Sequence, residues 1–420
     1  MSGSASKLIK DCIVIGAALF AMFFGAGNMI FPPYLGLQAG VEWFAAFLGY
    51  YAADVGLAVV AMLALIRTGG SEGLLRPLGR VWGGGLMCAI MLCLGPIISI
   101  PRTAATTYEL SIHPLWEGMD LNLFCALFFV VVFLLSVNES AVVDIVGKIL
   151  TPVLFASLLI LIVKGVLTPV GDITAQPRNS QVVASGIAAG YQTMDVLASV
   201  IFGGLILNSA RQKGYTKAGD QAKAAMGASL VAGFGLLVVY AGLTYLGATA
   251  EGLPNTRLTR IELLVDLVQT ILPGTAGMIF FAVIAALACL TTAIALTSAS
   301  GRYFAGLSKG RVSYTWVVAA ICTFSAGISG IGVEQLVELA SPILGIVYPP
   351  VLALVLLSFL GKDESKWFYR LPAIAAMVVG LLETAGVSSV AMLPLAKMGF
   401  AWVTPVTAAA VLGRLLDKKG

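Results

Sequence analysis

Ala18-Leu19-Phe20-Ala21-Met22-Phe23-Phe24-Gly25-Ala26-Gly27-Asn28-Met29-Ile30-Phe31-Pro32-Pro33 is an apolar run of membrane-crossing character with a polar, glycine-rich middle. Glycine tolerates dihedrals that end a helix, while proline lacks an amide donor and disfavours helix just before it. The stretch therefore predicts a helix that breaks inside the bilayer. A second run, residues 183–208, carries Gly190-Tyr191-Gln192-Thr193-Met194-Asp195, polar groups amid apolar neighbours. Either interruption alone could be a packing kink, since Gly and Pro are common in transmembrane helices. Freed backbone groups at membrane depth persist only where they line a cavity or bind something, so a matched pair of breaks marks a site.

The rest of the chain supplies the frame. Of 420 residues 59% are hydrophobic and 11% charged, against about 25% charged in soluble domains. Twelve apolar blocks approach the ~20 residues that cross a hydrocarbon core: 11–36, 42–66, 81–107, 121–138, 144–167, 183–208, 224–249, 274–300, 313–330, 334–359, 370–388 and 394–415. The expectation is one all-α polytopic membrane domain over 1–420. The runs are continuous rather than alternating, which excludes a β-barrel. The first run lacks a cleavage pattern at its end, so it does not read as a signal peptide.

Net charge is only +4, and its placement is more telling. With the N-terminus inside, 19 of the 25 Lys and Arg, Lys148 and Lys362 among them, fall in cytoplasmic stretches. Arg178, Arg257, Arg260 and Lys397 fall outside, and Arg102 and Lys164 within spans. The positive-inside rule favours that orientation, with both termini cytoplasmic. The basic residues orient the chain, and nothing suggests nucleic acid or an obligatory protein partner. All six cysteines lie in apolar runs and the single histidine, His113, in an outside loop, so a disulfide, a zinc site or an organic cofactor is not expected. Glu262, Asp266 and Gln269 with Leu263, Leu264, Leu267 and Val268 form an amphipathic pattern, predicting a short helix on the outer surface.

Five spans separate the two breaks in register, so the interrupted spans cross in opposite directions. Breaks at matching places in two oppositely oriented halves are the pattern of an inverted-repeat transporter.

The quoted first span, continuing Tyr34-Leu35-Gly36-Leu37-Gln38-Ala39-Gly40, closely resembles the opening of BrnQ-type branched-chain amino acid:cation symporters. Gly95-Pro96 through Ile100-Pro101-Arg102-Thr103-Ala104, Gly190-Tyr191, Thr193-Met194-Asp195 and Leu290-Thr291-Thr292-Ala293 extend the resemblance along the chain. It implies a LeuT-like 5+5 inverted repeat, one half over 9–167 and the other over 183–360, with two appended helices at 370–415. It also implies uptake of leucine, isoleucine and valine across a bacterial cell membrane, with Na⁺ the usual coupling ion. Gln192 departs from the pattern, where that position is usually apolar.

An amino acid is a zwitterion, and burying either charge unpaired is costly. Half-helix N-termini offer N–H groups to a carboxylate, and half-helix C-termini offer carbonyls to cations. Gly25, Ala26, Gly27 and Asn28 are therefore the expected substrate contacts from the first break, and Tyr191, Gln192 and Thr193 from the second. One methylene is worth only ~1–3 kcal/mol in an apolar pocket, so the three branched substrates should compete. Ala288, Thr291 and Thr292 share one helix face. The resemblance makes these oxygens, with the carbonyls of Ala21 and Phe24, the expected Na⁺ site; the threonines could instead bond their own helix.

The ionisable residues within spans are Asp54, Arg102, Asp195, Glu338 and Glu383, candidates by their placement. Asp195, beside the second break, is an ion ligand or a proton site; Arg102 needs a carboxylate partner or an aqueous path; Glu338 is a weaker coupling candidate near the outer end. The rival readings are a proton-coupled carrier of the same fold, an uncoupled channel and an intramembrane enzyme. No nucleophile–base or metal constellation supports the last.

Overall fold

The computed structural model describes residues 2–137, 151–253, 258–361 and 366–417, and all regular structure among them is helical. Helix α1 (Ser2–Phe23) stops at the expected break, where Gly25 takes an extended backbone (φ −116°, ψ −160°) before α2 (Ala26–Ala39). Pro32 and Pro33 lie inside α2, so the glycine and not the prolines ends the helix. The prolines act differently: their missing N–H groups leave the carbonyls of Asn28 and Met29 without i+4 donors, close to the break.

Three further interruptions shape the centre. Helices α3 (Trp43–Tyr51) and α4 (Leu57–Thr68) join through a π-turn, Ala52–Gly56, which carries Asp54. Helices α5 (Gly79–Leu92) and α6 (Ser99–Thr107) join through Cys93–Ile97, where Gly95 is non-helical (φ −90°, ψ −127°) and Pro96 cannot continue the ladder. After α7 (Leu121–Ser136) and α8 (Thr151–Leu167), the second predicted break separates α9 (Val182–Tyr191) from α10 (Asp195–Gln212). Met194 turns the chain there at φ 69°, and the two helices are bent by 42°. A non-glycine residue in that region is strained and is held by its surroundings.

Besides the short helix Ser71–Leu75, the remaining α-helices among the described residues are α11 (Ala218–Ala248), α12 (Arg260–Ile271), α13 (Thr275–Leu307), α14 (Tyr314–Ser329), α15 (Val333–Leu357), α16 (Trp367–Thr384) and α17 (Val403–Asp417). Helix α12 is the predicted amphipathic helix: Thr259 and Glu262 form its capping box, and Leu263, Leu264, Leu267 and Val268 are buried. Among the described residues, five helical stretches are long and apolar enough to cross a membrane, six if the bent pair α9–α10 is one span; α7, α8 and α14 are shorter apolar helices. The last helix begins at Val403 rather than 394, because residues 388–398 are spent in short 3₁₀ turns and Leu395 and Gly399 adopt positive φ. Lys148, Arg257, Lys362, Lys418 and Lys419, and the expected span edges within 138–150, lie outside the described residues.

Helices α1 and α2 lie along α11, while α9 and α10 lie along α3 and α4; α6 packs on α13 and α7 on α14. Large apolar side chains such as Leu134, Phe234 and Trp316 point outward, whereas Asn28, Asp54, Arg102 and Asp195 are buried. Charge inside and hydrocarbon outside is the distribution a lipid solvent demands.

Candidate functional site

Both predicted breaks open onto one place. The space between them is lined on its polar side by Gly25, Asn28, Ser99, Arg102, Thr193 and Asp195, and on its apolar side by Met22, Leu94, Phe202 and Leu296. Its volume is ≈ 10 Å³, the room of about one water. An aliphatic side chain enters only when the surrounding helices move apart.

The Asn28 amide ties the first break to two other spans, donating to Asp195 Oδ2 at 3.1 Å and to the Tyr240 hydroxyl of α11 at 2.5 Å. Its oxygen receives the Gly25 N–H at 3.4 Å. Arg102, 2% exposed, donates through Nη1 to the Gln192 carbonyl at 2.9 Å, an oxygen freed by the second break. Its Nε has no partner, and its guanidinium lies 5.9 Å from the centre of the Phe31 ring. Gly27 is where that guanidinium passes: a Cβ there would sit 2.8 Å from Arg102 Nη2. Thr193 Oγ1 lies 2.8 Å from Asp54 Oδ1 and 2.6 Å from the Gly190 carbonyl, and its single proton serves one at a time.

Asp54 and Asp195 thus meet at the centre with one guanidinium nearby. Two carboxylates ~4 Å apart repel by about 4 kcal/mol at an effective dielectric of about 20, so this cluster is built to receive positive charge.

The expected cation face also comes together. Thr291 Oγ1 lies 3.1 Å from the Ala21 carbonyl and 3.0 Å from that of Ala288, and Thr292 Oγ1 3.3 Å from the Met22 carbonyl. The carbonyls of Ala21 and Met22 close α1, where no further helical turn follows to satisfy them. Neutral hydroxyl and carbonyl oxygens are a donor set for a hard cation. Gly25 allows the approach, since a Cβ would lie 2.8 Å from Thr292 Oγ1. Thr292 meets Met22, a residue the sequence did not single out, and the hydrogen bonds place Ala21 rather than Phe24 beside Thr291.

Tyr191 and Gln192 contribute otherwise than expected. The Tyr191 ring packs on Tyr348, centroids 4.5 Å apart, and against Phe400, while Gln192 reaches the centre through its carbonyl. Glu338 and Glu383 do not line the central space.

Each end of the molecule carries an ion pair. Arg260 of α12 pairs with Glu334 at the start of α15 and stacks over Phe31 and Tyr34 of α2. Phe31 therefore lies between Arg102 on the core side and Arg260 at the surface. At the opposite end Asp11 of α1 receives Lys213 Nζ at 3.1 Å and the Tyr215 hydroxyl at 2.9 Å. The two pairs tie α12 to α15 at one end and α1 to the turn after α10 at the other.

Solved structures share this fold. A nucleobase-cation-symport-1 family transporter, Mhp1, in a closed conformation with bromovinylhydantoin aligns with TM-score 0.65 over 96% of this chain and 91% of that one, at 13% identity. A Na⁺-coupled sialic acid symporter in a substrate-bound outward-open state aligns with TM-score 0.63 over 97% and 90%, also at 13%. Among curated proteins, the branched-chain amino acid permease BraB of Bacillus subtilis is 36% identical, covering 97% of this chain and 96% of its own. The branched-chain amino acid transport system 3 carrier protein of Pseudomonas aeruginosa is likewise 36% identical, and the Escherichia coli (strain K12) permease BrnQ 35%, each over 97% and 96%. A family model described as branched-chain amino acid transport protein matches residues 8–420. With that match spanning nearly the whole sequence, and a site made from two facing helix breaks, the chain belongs to the branched-chain amino acid transport protein family, a family of membrane transporters and not of enzymes.

Proposed function

We propose that the chain is a secondary active transporter that takes up leucine, isoleucine and valine across a bacterial cell membrane by Na⁺-coupled symport. The observation that carries the reading is the meeting of two helix breaks around Arg102 and Asp195. The substrate carboxylate would meet Arg102 and the N–H groups opening α2, and its ammonium Asp195 and the Asn28 and Met29 carbonyls. The branched side chain would lie toward Leu94, Phe202 and Leu296. Ala21, Met22, Ala288, Thr291 and Thr292 would hold Na⁺, with Phe24 at their edge.

The architecture that goes with this reading is twelve spans, halves 9–167 and 183–360 as inverted repeats, 370–415 appended and both termini cytoplasmic. Its support is the pattern of neighbours. Exchanging each span with its counterpart five places away turns the α1/α2–α11 contact into the α9/α10–α3/α4 contact, and α8–α11 into α15–α4. Coupling has a clear energetic return: one net positive charge entering with a neutral zwitterion gains ~2.3 kcal/mol per 100 mV, roughly fiftyfold accumulation. The same fold coupled to H⁺ is the second reading, favoured by the buried Asp54 and Asp195.

Labelled leucine uptake into proteoliposomes tests the proposal. An inward Na⁺ gradient should drive accumulation, competed by isoleucine and valine but not by lysine or glutamate. Thr291→Ala with Thr292→Ala should raise the Na⁺ concentration for half-maximal uptake at least ~10-fold, the loss of roughly two charge-assisted contacts. Accumulation driven only by an H⁺ gradient in Na⁺-free buffer would overturn Na⁺ coupling.

The end ion pairs act as latches in this scheme. Arg260 and Glu334 are 27% and 30% exposed, so the pair is worth ~1 kcal/mol or less. Glu334→Gln should therefore speed labelling of a single Ser99→Cys by an outside thiol reagent about two- to fivefold. Asp11→Asn should slow the same reaction, because it frees the opposite end. Equal rates in all three proteins would remove the latches from the mechanism.

A further inference from the structure

Asp54 and Asp195 come from different halves of the chain and meet in the closed core, 0% and 3% exposed. Asp54 is carried by the π-turn between α3 and α4, and Asp195 opens α10. Their carboxyls stand within hydrogen-bonding reach of each other. Asn28 satisfies Asp195 Oδ2, and Thr193 stands by Asp54 Oδ1. Asp54 Oδ2 and the hydroxyl of its neighbour Tyr50, both 0% exposed, face each other without a well-formed hydrogen bond, and the Tyr240 hydroxyl stands close by.

Poorly satisfied oxygens this deep are costly, and a carboxylate accepts only positive or hydrogen-bearing groups. The groups facing the pair are Arg102 of α6 and the phenols Tyr50, Tyr240 and Tyr348 of α3, α11 and α15. With the phenols neutral, two carboxylates against one guanidinium leave a single negative charge. A divalent ion would leave this cluster with a net positive charge in a buried site, which is costly. One monovalent cation balances the cluster.

We propose that Asp54 and Asp195 form a binding site for one monovalent cation, Na⁺ or H⁺, separate from the oxygens of Thr291 and Thr292. Those threonines belong to α13 and face the end of α1; the carboxylates belong to the α3–α4 turn and α10. Bridged by a cation, the π-turn and the second break are held together; without it, the two carboxylates push them apart. The site's part in coupling rests on the transport reading, but cation binding does not.

The test uses the purified full-length chain without amino acid. Equilibrium binding of radioactive Na⁺ and the melting temperature across pH are compared for wild type, Asp54→Asn, and Thr291→Ala with Thr292→Ala. If Na⁺ is the occupant, Asp54→Asn loses one bound Na⁺ per chain, and that ion remains in the threonine double variant. If H⁺ is the occupant, Asp54→Asn leaves the Na⁺ count unchanged and flattens the pH dependence of melting seen in wild type. A variant that alters neither overturns the proposal. Should Asp54→Asn fail to purify as a folded protein, Asp195→Asn must give the same loss, and Asp54→Glu must keep the ion. Failure of leucine to accumulate would sink the transport reading and leave these outcomes standing.

Discussion

Arg102→Ala should lower the initial rate of leucine uptake by ~100- to ~1,000-fold. Truncating one partner of a buried, hydrogen-bonded charge pair costs about 2–5 kcal/mol, and each 1.4 kcal/mol is about tenfold. Among the described residues, Arg102 is the sole basic one lining the central space. Its Nη1 holds the Gln192 carbonyl, and its charge faces Asp195. Alanine removes both at once, so the second break loses its tie to α6 and two carboxylates lose their nearest cation. Arg102→Lys keeps the charge but not the planar fork, so it should recover only part of the rate, remaining about tenfold below wild type. Rates are read per folded transporter, with gel filtration counting the folded fraction. Uptake by Arg102→Ala within threefold of wild type would mean that the guanidinium is a structural strut and does not meet the substrate.

The glycines around Arg102 show what was legible in the sequence and what was not. Gly25 and Gly27 stood out because a polar, glycine-rich stretch inside an apolar run is a local signal, readable without tertiary information. Their physical role is only half of what that signal suggested. Gly25 does end a helix in extended backbone, but Gly27 lies within α2 and serves to clear the guanidinium. Pro32 and Pro33 looked like helix breakers and instead sit inside α2. Asp54 and Asp195 were each visible as ionisable residues in apolar runs. Their pairing was not, because residues 141 apart meet only through the packing of α9 and α10 on α3 and α4, and the π-turn carrying Asp54 leaves no pattern in composition. Met22 was missed for a related reason: it acts through a carbonyl, and any residue supplies one.

Gly247→Ala should be the most destabilising single methyl that can be added to the chain's span-to-span contacts, while Gly204→Ala should stabilise. A Cβ on Gly247 would lie 1.8 Å from the Pro33 carbonyl oxygen and 2.6 Å from its Cα; on Gly36 it would lie 1.9 Å from the Thr244 carbonyl oxygen. These are backbone atoms on both sides, so no side chain can rotate away, and α2 and α11 must separate. Overpacking of this kind costs about 1–3 kcal/mol and sometimes more. Gly204 lies in the middle of α10 with nothing within 4 Å of its added Cβ, so alanine there gains up to about 1 kcal/mol of helix propensity. Thermal unfolding of the purified variants should therefore shift in opposite directions, and a fall for both would mean that backbone contact is not what distinguishes them. Gly36→Ala together with Gly247→Ala should cost less than the sum of the two, because one outward movement of α2 relieves both clashes. That movement also pulls Asn28 from Tyr240, 2.5 Å away on α11, so the Gly247 variant should lose uptake even at temperatures where it stays folded. Glycine contact at Gly36 and Gly247 thus holds α2 tightly against α11, while the backbone is interrupted at Gly25 and not between those two helices.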